Sequence, residues 1–308
     1  MSLTPKLDKR GRFAKVSSYK LSWSAHSLSL GNRTCIMGIL NVTPDSFSDG
    51  GLFFSCDAAV AHGEKLAEAG ADIIDIGGES TRPFSEPVSI EEEGRRVLPV
   101  IKKLAKRVSI PISIDTTKAS IAREAIESGA SIINDISAMY SDPEMIGVAA
   151  KYGVPVVIMH MKGAPKTMQV SPHYDDLIKE IKGFFEKAID RAEKSGISRS
   201  KIIIDPGIGF GKTVKHNLLI IKHIDKFKTL NSPILIGPSR KSFIRNILEG
   251  SQEGDTRLEM SELETGTQAS IAAAVLNGAH IVRVHDVGKA RSTLEVIDSI
   301  RSVRYDRS

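Results

Sequence analysis

Side chains able to do acid, base or anion-binding chemistry recur in this 308-residue chain at one kind of place, the end of a short apolar run. Asn41, Asp115, Asn134 and Asp205 offer oxygens that accept hydrogen bonds, while Arg283 and His285 can donate to an anion. Three of the runs repeat one phrase at one offset: Gly70-Ala71-Asp72-Ile73-Ile74-Asp75, Gly129-Ala130-Ser131-Ile132-Ile133-Asn134 and Gly278-Ala279-His280-Ile281-Val282-Arg283. Each sets a helix-ending glycine before a β-branched strand with a functional group at the strand's end, which is the rhythm of a βα barrel. In a closed parallel barrel all carboxyl ends share one rim. Residues scattered from Asn41 to His285 would then converge on a single cleft, as in an enzyme.

The elements that must hold these groups are short. Strands are expected at Cys35–Leu40, Ile73–Ile76, Ile112–Ile114, Ile132–Asn134, Pro155–Met159, Ile202–Ile204, Ile234–Gly237 and Ile281–Val284, all apolar as buried parallel strands should be. Weak alternation over Tyr19–Leu30, with Gly31-Asn32 as a turn, predicts a β-hairpin that could plug the amino-terminal end. Helix ends are marked by a capping box at Ser89-Ile90-Glu91-Glu92, by Asp142-Pro143, and by stops at Gly70, Gly129, Gly153, Gly196 and Gly278. Tyr174–Lys194 reads as a two-helix outer stretch, and the polar Glu249–Glu262 as a surface excursion. The expected class is one α/β domain over 19–308, a (β/α)8 barrel with an amino-terminal hairpin.

Composition narrows the function. With 41% hydrophobic and 26% charged residues the chain is an ordinary globular one, and the net charge of +5 comes from its start. Residues 1–20 carry six cations (Lys6, Lys9, Arg10, Arg12, Lys15, Lys20) against Asp8, leaving 21–308 neutral. A flexible basic leader over 1–18 explains the charge without a nucleic-acid face on the body. It has no apolar core of a signal peptide, and no run reaches membrane-spanning length, so a cytoplasmic protein is expected. Cys35 and Cys56 lack CxxC spacing and read as free buried thiols in a reducing compartment.

Gly207-Ile208-Gly209-Phe210-Gly211-Lys212-Thr213 imitates a nucleotide-binding loop, yet the pattern's first glycine falls on Pro206 and the dinucleotide fingerprint also fails in spacing. The glycines read instead as room for a flat ligand to approach the backbone.

The most specific segment is Met37-Gly38-Ile39-Leu40-Asn41-Val42-Thr43-Pro44-Asp45-Ser46-Phe47-Ser48-Asp49-Gly50-Gly51. Taken with Gly78-Glu79-Ser80-Thr81-Arg82-Pro83, Ser113-Ile114-Asp115-Thr116, Ile133-Asn134-Asp135-Ile136, Met159-His160-Met161, Ile204-Asp205-Pro206-Gly207, Gly237-Pro238-Ser239-Arg240-Lys241-Ser242 and Arg283-Val284-His285-Asp286, it resembles the dihydropteroate synthases of folate biosynthesis. The resemblance spans about Cys35 to Val287. Phe84-Ser85, where many relatives have small residues, and a slightly long Glu249–Glu262 depart from it.

That resemblance implies condensation of 6-hydroxymethyl-7,8-dihydropterin diphosphate with p-aminobenzoate, giving 7,8-dihydropteroate and pyrophosphate. Burying a pterin's N–H-rich edge unpaired would cost about 1–3 kcal/mol per group. By resemblance Asp115, Asn134 and Asp205 read that edge, Lys241 donates to its carbonyl side, and Met159 and Phe210 complete the pterin site. An Asp after a strand can equally cap the next helix, and that reading stays open for Asp75 and Asp135. Arg283 and His285, two apart at one strand's end, fit the diphosphate side with Asn41, whose neutral oxygen suits a Mg²⁺ held mainly by the diphosphate. Asn41, Asp115, Asp205, Lys241, Arg283 and His285 form the implied catalytic set. Ser242 at a helix start suits the benzoate carboxylate, and Phe47, Asp49, Thr81, Arg82 and Pro83 match loops that close over the pterin. The same loops could be passive connectors. Sulfonamides are the implied competing ligands and a homodimer the implied assembly. The alternatives are a pterin-dependent methyltransferase, which leaves Asn41–Gly51, Arg283 and His285 unexplained, and a non-catalytic pterin-binding paralogue, which should have lost them.

Overall fold

A computed structural model of the chain describes residues 16–43, 56–80, 86–163, 168–250 and 258–303. Strands β1 (Tyr19–Trp23) and β2 (His26–Leu30) form an antiparallel hairpin. β3 (Cys35–Asn41), β4 (Ile73–Gly77), β5 (Ile112–Asp115), β6 (Ile132–Asp135), β7 (Val156–Met159), β8 (Ile202–Asp205), β9 (Leu235–Ile236) and β10 (Ile281–Val284) are parallel, in the spatial order β8-β7-β6-β5-β4-β3-β10-β9. A parallel bridge between Ile204 and Ile234 joins the two ends, so the sheet closes into a barrel. Its strands are buried on both faces because the interior is filled by side chains and the outside is covered by helices.

Those helices are α1 (Cys56–Glu68), α2 (Ile90–Leu104), α3 (Ala119–Glu127), α4 (Met145–Tyr152), α5 (Leu177–Lys194), α6 (Val214–Lys222), α7 (Ser242–Glu249), α8 (Met260–Leu276) and α9 (Val287–Ser302). The five expected glycine stops all take positive φ, from +60° at Gly153 to +119° at Gly129. Backbone of that kind turns the chain out of a helix and toward the next strand at little steric cost only without a Cβ.

Every expected barrel strand is present, and four of them run on to include the polar residue itself. Asn41, Asp115, Asp135 and Asp205 are the last residues of β3, β5, β6 and β8. The strand ladder therefore fixes their backbone, and their direction follows from the pleat.

Several local expectations are corrected. The hairpin turns at Ser24-Ala25, with Ser24 at φ +43°, and not at Gly31-Asn32. Tyr174–Lys194 holds a single helix, which begins at Leu177 because the Asp176 side chain accepts from the Lys179 N–H. Ser89 Oγ accepts from the Glu92 N–H at 3.2 Å, but the Glu92 carboxylate binds Arg95 and Arg96 instead of closing the box. Asp142 accepts from Glu144 N at 3.0 Å and from Ala119 N at 2.8 Å, so it ties two helix starts together while α4 opens only at Met145. Glu249 closes α7 and Met260 opens α8, which confines the expected surface excursion to the stretch between them; 251–257 lie outside the described residues.

The hairpin buries Leu21, Trp23, Leu28 and Leu30 on one face and packs against the 3-10 turn Arg199–Lys201 that opens β8. It lies at the amino-terminal end, opposite the rim. His280 holds the chain there, accepting from the Ile234 N–H through Nδ1 at 3.1 Å and contacting Ser17 O through Nε2 at 3.0 Å. Val16 is buried, and residues 1–15 of the basic leader lie outside the described residues. Among the described residues no helix is long and apolar enough to cross a membrane; Cys35 and Cys56 are free, but only Cys35 is buried, since Cys56 opens α1 and stays partly exposed. Burial pushes the Cys35 thiol up to about 12.

Candidate active site

Asp115, Asn134 and Asp205 stand at the carboxyl ends of three strands, as expected, and Asp115 and Asn134 are register partners across β5 and β6. Gly77 is the partner of Asp115 on β4, and a Cβ there would lie 3.4 Å from the Asp115 Cβ. Its missing side chain leaves β4's rim position to the Asp115 carboxylate. Asn134 and Asp205 are buried, at 5% and 8% exposure. Asp205 Oδ1 accepts from the Gly207 N–H at 2.8 Å, so its other oxygen is the one left for a ligand.

Burial sets the charges of this rim. Desolvation lifts Asp115 to about 7, opposed by Arg283 and reinforced by Asp75, Glu93 and Asp135. Asp205 rises to about 6 for the same reason, against the pull of the Gly207 N–H, Lys212, Lys241 and Arg283. Two carboxylates raised by desolvation on one rim mark it as a candidate functional site.

Around them lies an apolar wall. Met159, Phe210, Ile136 and Met168 form a buried cluster separate from the main core, with Met161 packed against it. Lys241 Nζ sits 4.1 Å from the centroid of the Phe210 ring, a cation over an aromatic face at the pocket's edge. Lys241 is placed by Arg240, which takes φ +56° and is held by its N–H to Thr267 Oγ1 at 3.1 Å and its guanidinium to the buried Glu264 at 3.4 Å. Ser242 follows as the exposed first residue of α7.

Arg283 is where the structure departs most from expectation. Its guanidinium spans two carboxylates, Nε to Asp75 Oδ2 at 2.6 Å and Nη2 to Asp115 Oδ2 at 2.7 Å. The cation expected on the diphosphate side thus rests on Asp115, expected to read the pterin, and on Asp75, which had no expected part in the site. Asp75 is correspondingly no helix cap: it lies inside β4, fully buried, and also accepts from Asn134 Nδ2 at 2.9 Å. Asp135 does not cap the next helix either: it accepts from the Ser137 and Met139 N–H groups at 2.7 and 2.9 Å and so holds the turn after β6, while α4 begins only at Met145. His285 Nδ1 lies 2.9 Å from Ser239 Oγ, and Asn41, half-buried, ends β3 opposite Gly77 of β4.

The glycine loop after β8 also needs correcting. A Cβ on Gly207 would lie 2.1 Å from His160 O, and one on Gly211 2.3 Å from Lys162 O. Those glycines make room for the neighbouring loop of the protein, not for a ligand. Lys212, unassigned by sequence, locks the two loops: its Nζ reaches His160 Nδ1 at 3.1 Å, His160 O at 3.2 Å and Phe210 O at 2.9 Å. Burial lowers it to about 7. Asp75, Lys212, Ser239 and Ile136 are the site's residues that motif reading passed over. Phe47, Asp49, Thr81, Arg82, Pro83 and Phe84 lie outside the described residues. Among the described residues no three His, Cys, Asp or Glu side chains gather as a metal cage.

Known proteins resemble this chain in sequence and in fold. The profile of the pterin binding enzyme family matches residues 37–285. A dihydropteroate synthase of Synechocystis is 46% identical over 270 residues, covering 88% of this chain and 91% of that protein. The dihydropteroate synthase of Escherichia coli is 44% identical over 272 residues, 88% of this chain and 93% of its own length. Among solved structures, the Yersinia pestis dihydropteroate synthase in complex with a sulfonamide drug superposes with a TM-score of 0.84 at 42% identity, covering 92% of this chain and 99% of that one. The Xanthomonas albilineans enzyme with 4-aminobenzoic acid gives 0.84 at 41% identity, covering 94% and 100%. On identity, coverage and barrel alike, the chain belongs to the pterin binding enzymes and, within them, to the dihydropteroate synthases.

Proposed function

We propose that this chain condenses 6-hydroxymethyl-7,8-dihydropterin diphosphate with p-aminobenzoate to give 7,8-dihydropteroate and pyrophosphate. The observation that carries this is the joint placement of Asp115, Asn134 and Asp205 on one rim beside the Met159–Phe210 wall and Lys241. Acceptors on three strands match the N–H-rich pterin edge, the apolar wall matches its faces, and Lys241 suits its carbonyl side.

The chemistry follows from charge. As the CH2–O bond breaks, its electron pair leaves with the diphosphate and the pterin methylene becomes cationic. Asp115 and Asp205 stabilise that cation when ionised, and Arg283 and His285 are assigned to the departing anion. Since Arg283 already bridges Asp75 and Asp115, it links ionisation of the pterin to binding of the diphosphate. The neutral amine of p-aminobenzoate then supplies its lone pair to the methylene, the C–N bond forms, and the amine loses a proton. No general base is required, because the amine is a nucleophile as it stands. Ser242, at the start of α7, is assigned to the benzoate carboxylate. Phe47, Asp49, Thr81, Arg82 and Pro83 are assigned to exclusion of water, which would otherwise trap the cation.

Asn41, at the end of β3, offers one neutral oxygen that suits a Mg²⁺ borne mainly by the substrate's diphosphate. When bound, the ion would neutralise the diphosphate and make it a better leaving group. We further assign a homodimer, sulfonamides as competitors for the benzoate site, and a reducing cytoplasmic setting consistent with two free cysteines.

The test is formation of dihydropteroate from the two substrates with Mg²⁺, together with exchange of labelled pyrophosphate into pterin diphosphate without p-aminobenzoate. Asn41→Ala should slow exchange and turnover in parallel. Exchange that strictly requires p-aminobenzoate would refute the cation, and pterin binding without any turnover would indicate the non-catalytic paralogue.

A further inference from the structure

Asp75 has the attributes of a group retained for placement. It is 0% exposed inside β4, one layer below the rim, with Ile39 and Ser113 as its register partners. A carboxylate there must give up its water, and a buried ion pair seldom stabilises a fold more than apolar residues of the same volume would. Ile73 and Ile76 show that the strand accepts such residues. The single oxygen Oδ2 takes both Arg283 Nε at 2.6 Å and Asn134 Nδ2 at 2.9 Å.

Each contact has a consequence above it. An ionised carboxylate only accepts hydrogen bonds, so the Asn134 atom facing it must be the NH2, and the amide's carbonyl oxygen is turned away from it. A ring edge made of N–H donors needs that oxygen. A flipped amide would set donor against donor. The Nε contact in turn pins Arg283 at its inner nitrogen, while the Nη2 end rests on Asp115, two residues above the Asp75 layer on the neighbouring strand.

We propose that Asp75 is a positioning residue, which orients the Asn134 amide so that its oxygen reads the ligand's N–H edge and holds Arg283 by Nε beneath the rim. The inference rests on the pterin reading given above. It assigns Asp75 no contact with substrate and no part in bond making.

The same carboxylate acts electrostatically on Asp115, which faces Arg283 from β10, Asp75 from β4, Glu93 from α2 and Asp135 from β6. Arg283 favours its ionised form and the three carboxylates oppose it. Removing the Asp75 charge therefore lowers the pH at which Asp115 ionises, and leaves Arg283 more fully to Asp115, which acts in the same direction.

Two variants separate placement from charge. Asp75→Leu removes the acceptor and should raise KM for the pterin diphosphate by about ten- to a hundredfold, while KM for p-aminobenzoate changes less than about threefold. Asp75→Asn keeps one acceptor oxygen and should recover most of that loss. In both variants the acid limb of kcat/KM against pH for the pterin substrate should move to lower pH. An unchanged pterin KM in Asp75→Leu, an equal rise in both KM values, or an unmoved acid limb in Asp75→Asn overturns the proposal. If neither variant folds, a crystal structure of the wild-type enzyme with bound pterin decides: Asn134 Oδ1 on a pterin N–H supports it, and Asn134 Nδ2 toward the pterin overturns it. Wild-type enzyme that makes no dihydropteroate would instead refute the activity on which the inference rests.

Discussion

Replacing Asp205 with Asn should make the protein more stable at pH 8 and less able to bind pterin. Asp205 is 8% exposed, and burial raises it from 3.8 to about 6. At 1.36 kcal/mol per pH unit this difference corresponds to about 3 kcal/mol. The sign follows from linkage. A carboxylate raised in the folded state contributes stability that is complete below its unfolded value near 4, and this is lost as pH rises through 6. At pH 8 the buried anion therefore weakens the fold by up to about 3 kcal/mol relative to the neutral acid. The substituted amide would carry no charge and keep an oxygen for the Gly207 N–H, which lies 2.8 Å from Asp205 Oδ1. Asp205→Asn should accordingly raise stability at pH 8 by as much as about 3 kcal/mol, less the cost of its new NH2 group, or roughly 5–10 °C in Tm. The gain should fade as the pH approaches 4. Urea unfolding at pH 8 and pH 4, with calorimetric titration of a pterin at pH 8, measures both effects. A variant less stable than wild type at pH 8, or a gain that persists unchanged at pH 4, would show that Asp205 is not held as a strained anion.

Two further substitutions test the placement of the site. Arg283→Ala leaves the fully buried Asp75 and the adjoining Asp115 without their shared cation; thermal melts at pH 8 should show a loss of about 3–5 kcal/mol, shrinking toward acid pH as the carboxylates protonate. Because the guanidinium touches the rim carboxylates, the same variant should weaken a phosphate-free pterin as well as the diphosphate, and unimpaired binding of the former in calorimetry would contradict the bridging arrangement. Gly207→Ala forces a Cβ to 2.1 Å from His160 O at φ +71°; strain of about 1–3 kcal/mol plus the clash should shift the loop that carries Phe210, and normal pterin affinity with an unchanged Tm would refute the close packing.

Most of the barrel was legible from residues alone, since its signals are local. A run such as Ile202–Ile204, short, β-branched and followed by Asp205-Pro206-Gly207, reads as a buried strand, and Gly129 can leave a helix at φ +119° where a residue with a Cβ is strained. Strand-end polar residues were legible for the same reason: parallel strands in a closed barrel have one shared rim, so Asp115, Asn134 and Asp205 had to meet there. The hairpin turn was misplaced because Gly31-Asn32 is the stronger turn signal, whereas register across Leu21 and Leu28 places the turn at Ser24-Ala25.

What the chain order could not contain were the partnerships among those residues. Asp75 looks like a cap because it follows an apolar run, and only the packed barrel, which brings Arg283 and Asn134 to its carboxylate, gives it its partners. Arg283 is 208 positions from Asp75 and 168 from Asp115, and their ion pairs exist because β10 pairs with β3, whose other neighbour is β4, so the curved sheet sets the last strand beside β4 and β5. Lys212 sits in a phrase that mimics phosphate binding, yet its three acceptors come from His160 and Phe210 once two loops pack together. Residue types and local backbone preference thus determined which groups stand on the rim. Closure of the sheet, which alone sets distances across it, decided which of them share a charge and which way the Asn134 amide points.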